Sequence, residues 1–195
     1  MDEIYKQLLK FKKSPLYTYR TENKYLPVVG EGSLEAKIMF VGEAPGRKEA
    51  ESGRPFCGAS GKLLDELLKS ASLSREEVYI TNIVKDRPPE NRDPTEEEKD
   101  LYAPFLDRQI AIIKPRIVAA LGRHAMDYLM RHFGLGSQIE PISVAHGKAF
   151  EVEARYGTAS VVALYHPAVA IYNRKQKDTL IKDFKIIKRL SKKYL

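Results

Sequence analysis

The stretch VVALYHPAVAIYNRK, residues 161–175, joins an apolar run to a loop of a different character. Its first part is rich in β-branched and aliphatic residues, as in a strand that is buried on both faces. The run ends at His166 and Pro167, and further apolar residues and a cluster of cations follow. A buried strand that ends in this way predicts a binding site at its carboxyl end.

Three other apolar runs resemble the final one, SVVALYH (160–166). They are KIMFVG (37–42), VYITNIV (78–84) and RIVAALG (116–122). Segments with helical patterns lie between the runs, which favours a parallel sheet with helices on both faces. We therefore expect an α/β fold, a three-layer α/β/α sandwich with a central four-stranded parallel sheet, in a single domain over residues 1–195.

The helix after the second run has a clear start and a weak point. Thr95 and Glu98 form the pattern of a capping box, which predicts that a helix begins there. Pro104 lies within the same segment and is expected to kink or interrupt the helix, because proline lacks the backbone N–H.

The composition limits the class of protein. There are 33 Lys and Arg residues against 26 Asp and Glu, so a formal charge of +7 is expected to attract polyanions. No apolar run reaches 18 residues, and the amino-terminal segment lacks the apolar core of a secretion signal, so we expect a cytoplasmic protein without a membrane partner. Cys57 is the only cysteine, which excludes an internal disulfide and any metal site built from several cysteines.

Unusual residues follow each of the four runs. GEAPG (42–46) follows the first, Asn82 lies near the end of the second, Gly122 closes the third and His166 ends the fourth. In open α/β sheets ligands bind beyond the carboxyl ends of the strands, so these four segments are expected to form one site. Neither the Walker phosphate loop nor the Rossmann fingerprint is present, which argues against a nucleotide cofactor.

Each of these features also has a purely structural explanation. GEAPG is a typical strand-to-helix turn, but a carboxylate at a strand end, Glu43, is a candidate for an altered pKa. Phe56, in SGRPFCGASG (52–61), either fills the core or offers its ring to a flat base. Asn82 is either a structural cap or a reader of a polar ligand edge, because a buried amide must satisfy its hydrogen bonds.

Two basic segments are candidates for phosphate contacts. The loop RPPENRDP (87–94) contains Arg87 and Arg92, and residues 174–193 contain nine Lys or Arg against two Asp. Such segments are often only solvated, but their position beside the predicted site favours a nucleic-acid surface.

Taken in order, VGEAPG, GRPFCGASGKLL, TNIVKDRPPENRDP, ALG and HPA resemble the motifs of type-4 uracil-DNA glycosylases over roughly residues 11–185. The resemblance implies that Gly42, Glu43 and Ala44 line a uracil pocket. It also implies that Phe56 stacks on the base and that Asn82 pairs with its Watson–Crick edge.

The same resemblance assigns further roles. Glu49 falls where the family excludes the thymine methyl group, His166 matches the motif histidine near uracil O2, and Asn91 lies in the loop that helps to place water or substrate. Some other glycosylase families have an aspartate that activates water at the position of Ala44. Glu43 or a water held by Asn91 must take that role here, and the sequence leaves both open.

The loop after His166 offers groups that suit a DNA duplex. Ile171 and Tyr172 are candidates for a wedge that fills the gap left by a flipped nucleotide. Arg174 and Lys175 are candidates for phosphate contacts.

One feature departs from the family, whose members usually carry four cysteines that hold an iron–sulfur cluster. The corresponding positions are Phe11, Ser14, Asp86 and Tyr102. We therefore expect no metal and no cofactor, with packing of Phe11 and Tyr102 and a polar contact from Asp86 or Ser14 in place of the cluster.

The leading hypothesis is a monofunctional glycosylase that flips uracil out of double- or single-stranded DNA, hydrolyses its N-glycosidic bond and releases free uracil. The protein is expected to be a monomer. The alternatives are a protein that binds damaged DNA without cutting it, a glycosylase for another deaminated base, and a domain that binds a free nucleotide.

Overall fold

The computed structural model describes residues 1–194. Its central sheet contains β1 (Glu31–Gly32), β2 (Ile38–Gly42), β3 (Tyr79–Asn82), β4 (Ile117–Leu121), β5 (Ala149–Ala154) and β6 (Gly157–Leu164). The strand order is β1-β3-β2-β4-β6-β5. The four inner strands are parallel, whereas β1 and β5 pair in the antiparallel direction at the two edges.

The α/β prediction is confirmed, but the sheet has six strands rather than the predicted four. The four predicted runs form the parallel centre, and two edge strands make the sheet mixed. β1 has only two residues, and β5 (AFEVEA) is mostly solvent-accessible, so neither has the continuous apolar run of a doubly covered strand. β6 ends at Leu164, which places His166 in the loop beyond the strand.

Helices cover both faces of the sheet. They are α1 (Asp2–Leu9), α2 (Leu16–Glu22), α3 (Arg47–Ser52), α4 (Ala59–Ser70), α5 (Glu96–Ile113), α6 (Arg123–His132), α7 (Ile142–Ala145), α8 (Val169–Tyr172) and α9 (Gln176–Tyr194). None of the helices in the described part of the chain is long and apolar enough to span a lipid bilayer.

Two apolar layers form because successive strand residues point to opposite faces of the sheet. On β2, Met39 and Val41 pack in the layer shared with α1, α5 and α6. Ile38 and Phe40 pack in the other layer, with α4 and α9. The Phe40 ring lies parallel to that of Phe184 on α9, with centroids 5.8 Å apart. The two layers fix the inner strands in register, so all four end at the same edge.

The predicted start of α5 is confirmed, and of the two effects expected of Pro104, a kink or an interruption, the interruption is wrong. Thr95 Oγ1 accepts from the Glu98 N–H (3.1 Å), and Glu98 accepts in turn from the Thr95 N–H (2.9 Å). The helix continues through Pro104 to Ile113. Buried residues on both sides of the proline, including Tyr102 and Leu106, anchor both halves in the core.

A buried polar network fixes the amino-terminal segment to the sheet. Tyr102 Oη donates to Asp86 Oδ2 (2.6 Å) and contacts Ser14 Oγ (2.9 Å). Arg20 Nε also donates to Asp86 Oδ2 (3.0 Å), and its Nη2 donates to the Leu8 carbonyl. The Phe11 ring packs edge-on against Tyr102, with centroids 5.5 Å apart. The four positions predicted to act together are therefore in contact, and Arg20 joins them.

Replacing Tyr102 with Phe should destabilise the fold. The change removes two buried hydrogen bonds and leaves Asp86, whose Oδ1 already lacks a partner, with Arg20 alone. We expect the free energy of unfolding to fall by about 1–3 kcal/mol. Urea unfolding followed by circular dichroism measures this, with Tyr172→Phe as the matched control at an 89 % exposed position. Equal stability of the Tyr102 variant and wild type would contradict the role of the network.

Candidate active site

The carboxyl ends of the inner strands meet around one cavity of about 180 Å³. Its walls come from the loop after β2, from the segment entering α4, from the end of β3 and from the loop after β6. The lining residues are Ala44, Pro45, Gly46, Glu49, Phe56, Ser60, Asn82 and His166. Segments that are distant in sequence therefore meet as predicted.

Asn82 is the buried polar group of this cavity. Only 2 % of its surface is exposed, and within residues 1–194 its side-chain amide has no hydrogen-bond partner in the protein. A structural cap would be bonded to the backbone, so this geometry argues against that alternative. The amide oxygen and nitrogen are thus available to one acceptor and one donor of a ligand.

A buried lysine fixes the strand end that carries Asn82. Lys85 Nζ donates to the Asn82 carbonyl (2.6 Å), to Thr81 Oγ1 (2.7 Å) and to Gln109 Oε1 (2.6 Å). Desolvation holds the pKa of Lys85 well below its ordinary value. The three oxygen acceptors match the three N–H groups of a protonated amine, so they oppose the effect of burial, and they restrain the backbone at Asn82.

Gly42 lets Asn82 and Phe56 approach each other. A Cβ atom at this position would lie 2.3 Å from Asn82 Oδ1 and 2.7 Å from Phe56 Cζ. Gly42 also pairs directly with Asn82 in the sheet register. Glycine is therefore required behind the cavity for steric reasons.

The Phe56 ring is held in a strained loop. Phe56 has a φ of 48°, a left-handed conformation that side chains other than glycine rarely adopt. Arg75 stabilises it: Nη1 donates to the Phe56 carbonyl (3.0 Å) and Nη2 to the Pro55 carbonyl (2.7 Å). Gly61 has no room for a Cβ, which would lie 1.7 Å from the Phe56 carbonyl oxygen. The loop thus presents the aromatic ring as a fixed wall.

His166 faces Phe56 across the cavity, with ring centroids 5.7 Å apart. Its Nδ1 accepts from the Ala168 N–H (3.2 Å), so in the neutral ring the proton resides on Nε2. Burial lowers the pKa of His166 to about 4, with a small opposing effect of Glu49. The imidazole is therefore neutral at pH 7 and offers an Nε2–H donor.

Glu49 forms another wall of the cavity. Its Oε1 accepts from the backbone N–H of Cys57 (3.1 Å) and of Gly58 (2.8 Å), at the amino-terminal end of α4. These bonds tie α3 to the loop that carries Phe56. The carboxylate therefore has a structural role in addition to its position in the wall.

Glu43 lies beside the cavity rather than in its lining, one residue before Ala44. Burial raises the pKa of the Glu43 carboxyl, and nearby His124 opposes that shift. His124 Nε2 lies 3.5 Å from Glu43 Oε1 and 3.1 Å from Asp93 Oδ2. His124 belongs to no recognisable motif in the sequence, and only the fold brings it to Glu43.

These three side chains are also the group that could hold a metal ion, since their ligand atoms lie within 4.8 Å of one another. Arg123 argues against an ion there. Its Nη2 donates to Asp93 Oδ2 (2.9 Å), and its Nε lies 3.0 Å from His124 Nε2. Two of the three atoms that would bind the ion are therefore already in contact with a positively charged guanidinium.

The predicted phosphate contact at Arg87 requires correction. Arg87 is buried, and its guanidinium donates to Asn91 Oδ1 (2.8 Å) and to the hydroxyl groups of Tyr19 and Tyr25. Asn91 has a φ of 56° and does not line the cavity. Arg87 and Asn91 therefore form a contact within the protein, and the hydroxyl groups of Tyr19 and Tyr25 complete the hydrogen bonds of the guanidinium.

Arg92 is partly exposed, but its guanidinium is already paired within the protein. Its guanidinium forms a two-point contact with the Glu98 carboxylate (2.6 and 2.8 Å), which also caps α5. By contrast, Arg174 and Lys175 are exposed. Ile171 and Tyr172 precede them on α8 and its end, 45 % and 89 % exposed. The loop after His166 therefore presents apolar, aromatic and cationic groups to solvent.

A larger cavity, about 290 Å³, lies between α5, the end of α6 and the β5–β6 turn. None of the residues predicted for the site lines it. Within the described residues, one buried polar atom of its wall, the Tyr156 hydroxyl oxygen, has no hydrogen-bond partner. Size alone does not make this the functional cavity, because its wall includes the turn before β6 and not the carboxyl ends of the inner strands, where ligands bind in open α/β sheets.

Comparison with known proteins agrees with this geometry. Residues 29–187 match the uracil DNA glycosylase superfamily. Type-4 uracil-DNA glycosylases of Sulfurisphaera tokodaii and Archaeoglobus fulgidus are each 43 % identical to the chain. The alignments cover 98 % and 97 % of the chain, and 84 % and 92 % of those proteins. The enzyme of that name from Saccharolobus solfataricus is 42 % identical over 96 % of the chain and 85 % of its own length.

The chain belongs to the type-4 uracil-DNA glycosylase family. Membership makes the position of the cavity at the carboxyl edge of the parallel strands an expected one. Several site residues escaped sequence reasoning: Ser60 and Pro45 in the wall, Arg75 and Lys85 behind it, and His124 beside Glu43. None of these residues stands out in the sequence as a candidate for the site, because the role of each depends on contacts that form only in the folded protein.

The protonation of His166 should be visible by NMR. We expect the ring to be a neutral Nε2–H tautomer at pH 7 and to gain a proton only near pH 4. Unfolded histidine binds a proton below about pH 6.5, so the associated stability is complete above that pH and is lost as the pH falls towards 4. Ring ¹⁵N shifts, assigned with His166→Gln, test this. An Nδ1–H tautomer or a midpoint near 6.5 would contradict it.

Proposed function

We propose that this protein removes uracil from DNA by hydrolysing the bond between the base and the sugar, leaving an abasic site. The observation that carries the proposal is Asn82, a buried amide without a protein partner that faces a cavity walled by an aromatic ring and a neutral histidine. Membership of the type-4 family supports the same function.

Access to the base requires that the nucleotide leave the duplex. Unstacking costs a few kcal/mol, and the pocket must offset that cost with stacking and hydrogen bonds. Phe56 supplies the stacking surface. Asn82 Oδ1 would accept from uracil N3–H, and its NH₂ group would donate to uracil O4, a pattern that cytosine does not match.

Leaving-group stabilisation is the proposed role of His166. As the glycosidic bond breaks, negative charge develops on uracil, and a donor preorganised in a desolvated site stabilises it. The Nε2–H would point at uracil O2. Because the ring stays neutral, it stabilises the charge by a hydrogen bond rather than by transferring a proton.

The remaining wall residues set the limits of the pocket. Gly42 and Ala44 leave room for the base, and Glu49 would stand where the methyl group of thymine would lie. Its backbone hydrogen bonds keep it in place. For the attacking water we favour Glu43 over Asn91, because the Asn91 oxygen is already bonded to Arg87.

DNA is the proposed partner, either double- or single-stranded, with the protein acting as a monomer in the cytoplasm. Tyr172 and Ile171 would enter the space of the flipped nucleotide. Arg174 and Lys175 would contact phosphates, and Arg92 would do so only in part. Arg87 is not proposed to contact phosphates, because the residue is buried.

The chain does not fit an iron–sulfur cluster of the family type. One cysteine, Cys57, cannot supply four ligands, and the corresponding positions hold an aromatic, a hydroxyl, a carboxylate and a phenol. We propose that the network of Ser14, Asp86 and Tyr102, packed against Phe11, holds the amino-terminal segment in place of a cluster.

The function is tested with an end-labelled oligonucleotide that contains one uracil. We expect a strand break only after alkali, because the enzyme removes the base without cutting the backbone. Asn82→Ala should lower the excision rate at least 100-fold while the Kd for DNA changes little, and Asn23→Ala, at an exposed position, should behave as wild type. Retarded mobility on a native gel without excision by the wild type would instead favour the non-cleaving binder.

A further inference from the structure

Four charged or titratable side chains next to the cavity form a group that we call the Glu43 cluster: Glu43, Asp93, Arg123 and His124. Glu43 Oε1 is buried and has no hydrogen-bond partner. His124 Nε2 lies 3.5 Å from this oxygen. Buried carboxylate oxygens are nearly always hydrogen-bonded, so one without a partner indicates a bound ligand or a functional role.

The fold fixes the positions of the cluster. The Glu43 carbonyl accepts from the Val84 N–H (3.0 Å), which anchors the backbone at the end of β2. His124 lies in the first turn of α6, two residues after Gly122. A Cβ on Gly122 would lie 3.1 Å from His166 Cβ, so the start of α6 abuts the cavity wall. His124 is therefore held between the site and Asp93.

His124 Nε2 faces two carboxylate oxygens, and Arg123 Nε lies 3.0 Å from the same nitrogen. A protonated Nε2 donates to a carboxylate, whereas an unprotonated Nε2 accepts from Arg123. The contact with Asp93 is the shorter, 3.1 Å against 3.5 Å for Glu43. Asp93 also takes a hydrogen bond from Arg123 (2.9 Å), which offsets its negative charge. When Nε2 carries a proton, the positive ring of His124 therefore lies beside Glu43 and leaves its oxygen free of a close hydrogen bond.

The surrounding charges show why this support is needed. Burial favours the neutral form of the Glu43 carboxyl and raises its pKa, and Asp93 acts in the same direction. The groups on the neighbouring elements that oppose it are His124 and Arg123 on α6 and Lys99 on α5. Of the three, His124 has the largest effect, and its Nε2 is in contact with the carboxylate.

We propose that His124 is a positioning residue for the glycosylase reaction, which keeps Glu43 ionised and aimed at the attacking water. The inference rests on the proposed function and adds that His124 acts on the reaction through Glu43. In the reaction, the water oxygen forms a bond to C1′ of the sugar while the bond from C1′ to N1 breaks. The electron pair of that bond leaves with uracil, and the proton of the water passes to Glu43.

The pH dependence of excision distinguishes this role from a structural one. Single-turnover rates are measured from pH 5 to 9 on uracil-containing DNA for wild type and His124→Gln. Without the imidazole the Glu43 carboxylate protonates at higher pH, so the acid limb of the profile should move upward. A shift of one unit corresponds to a roughly tenfold lower rate on that limb, with recovery towards wild type at high pH.

His132→Gln is the matched control, since His132 lies on the same helix, two turns further on, and pairs with Asp107 instead (3.2 Å). Its profile should match that of the wild type. Glu43→Gln should lose activity at every pH. Thermal melting confirms that each variant is folded.

The outcomes separate the two claims. If wild type does not excise uracil, the proposed function fails and this inference fails with it. If Glu43→Gln excises as fast as wild type, Glu43 is not used and the inference is overturned while the function stands. If Glu43→Gln is inactive but His124→Gln lowers the rate equally at all pH values or leaves it unchanged, the positioning role alone is overturned.

Discussion

Two apolar layers hold four parallel strands in register, and the position of every site residue depends on that packing. Both faces of the strands are consumed by core contacts with the helices. The ends of the strands are therefore where polar side chains can face a ligand. Because parallel strands end at one edge, Asn82, the loop after β2 and the loop after β6 come together there.

Desolvation is the common electrostatic feature of this edge. The same burial lowers the pKa of His166 and of Lys85 and raises that of Glu43. Each shift favours the neutral form of the group. For a histidine that donates a hydrogen bond this is useful, whereas the three oxygen acceptors around Lys85 favour the protonated amine and oppose the shift. A carboxylate that must act as a base is the exception, which is why the cations around Glu43 matter.

Much of the site could be predicted from the sequence, because buried parallel strands have long apolar runs and their ends are conspicuous. Asn82 and His166 are predicted in this way, Phe56 is predicted from its loop of small residues, and all three line one cavity. The edge strands were missed, since β5 is mostly exposed and β1 is too short. Arg87 could not be placed either, because only the fold brings the phenols of Tyr19 and Tyr25 within its reach.

The most direct test of this account asks whether the cavity recognises uracil. Free uracil is titrated into protein labelled with ¹⁵N and ¹³C, and the side-chain amide of Asn82 and the ring of Phe56 are followed by NMR. We predict that uracil shifts both sets of signals and that thymine, with its methyl group, shifts neither at the same concentration. Unchanged Asn82 signals at saturating uracil, or an equal response to thymine, would contradict the central claim.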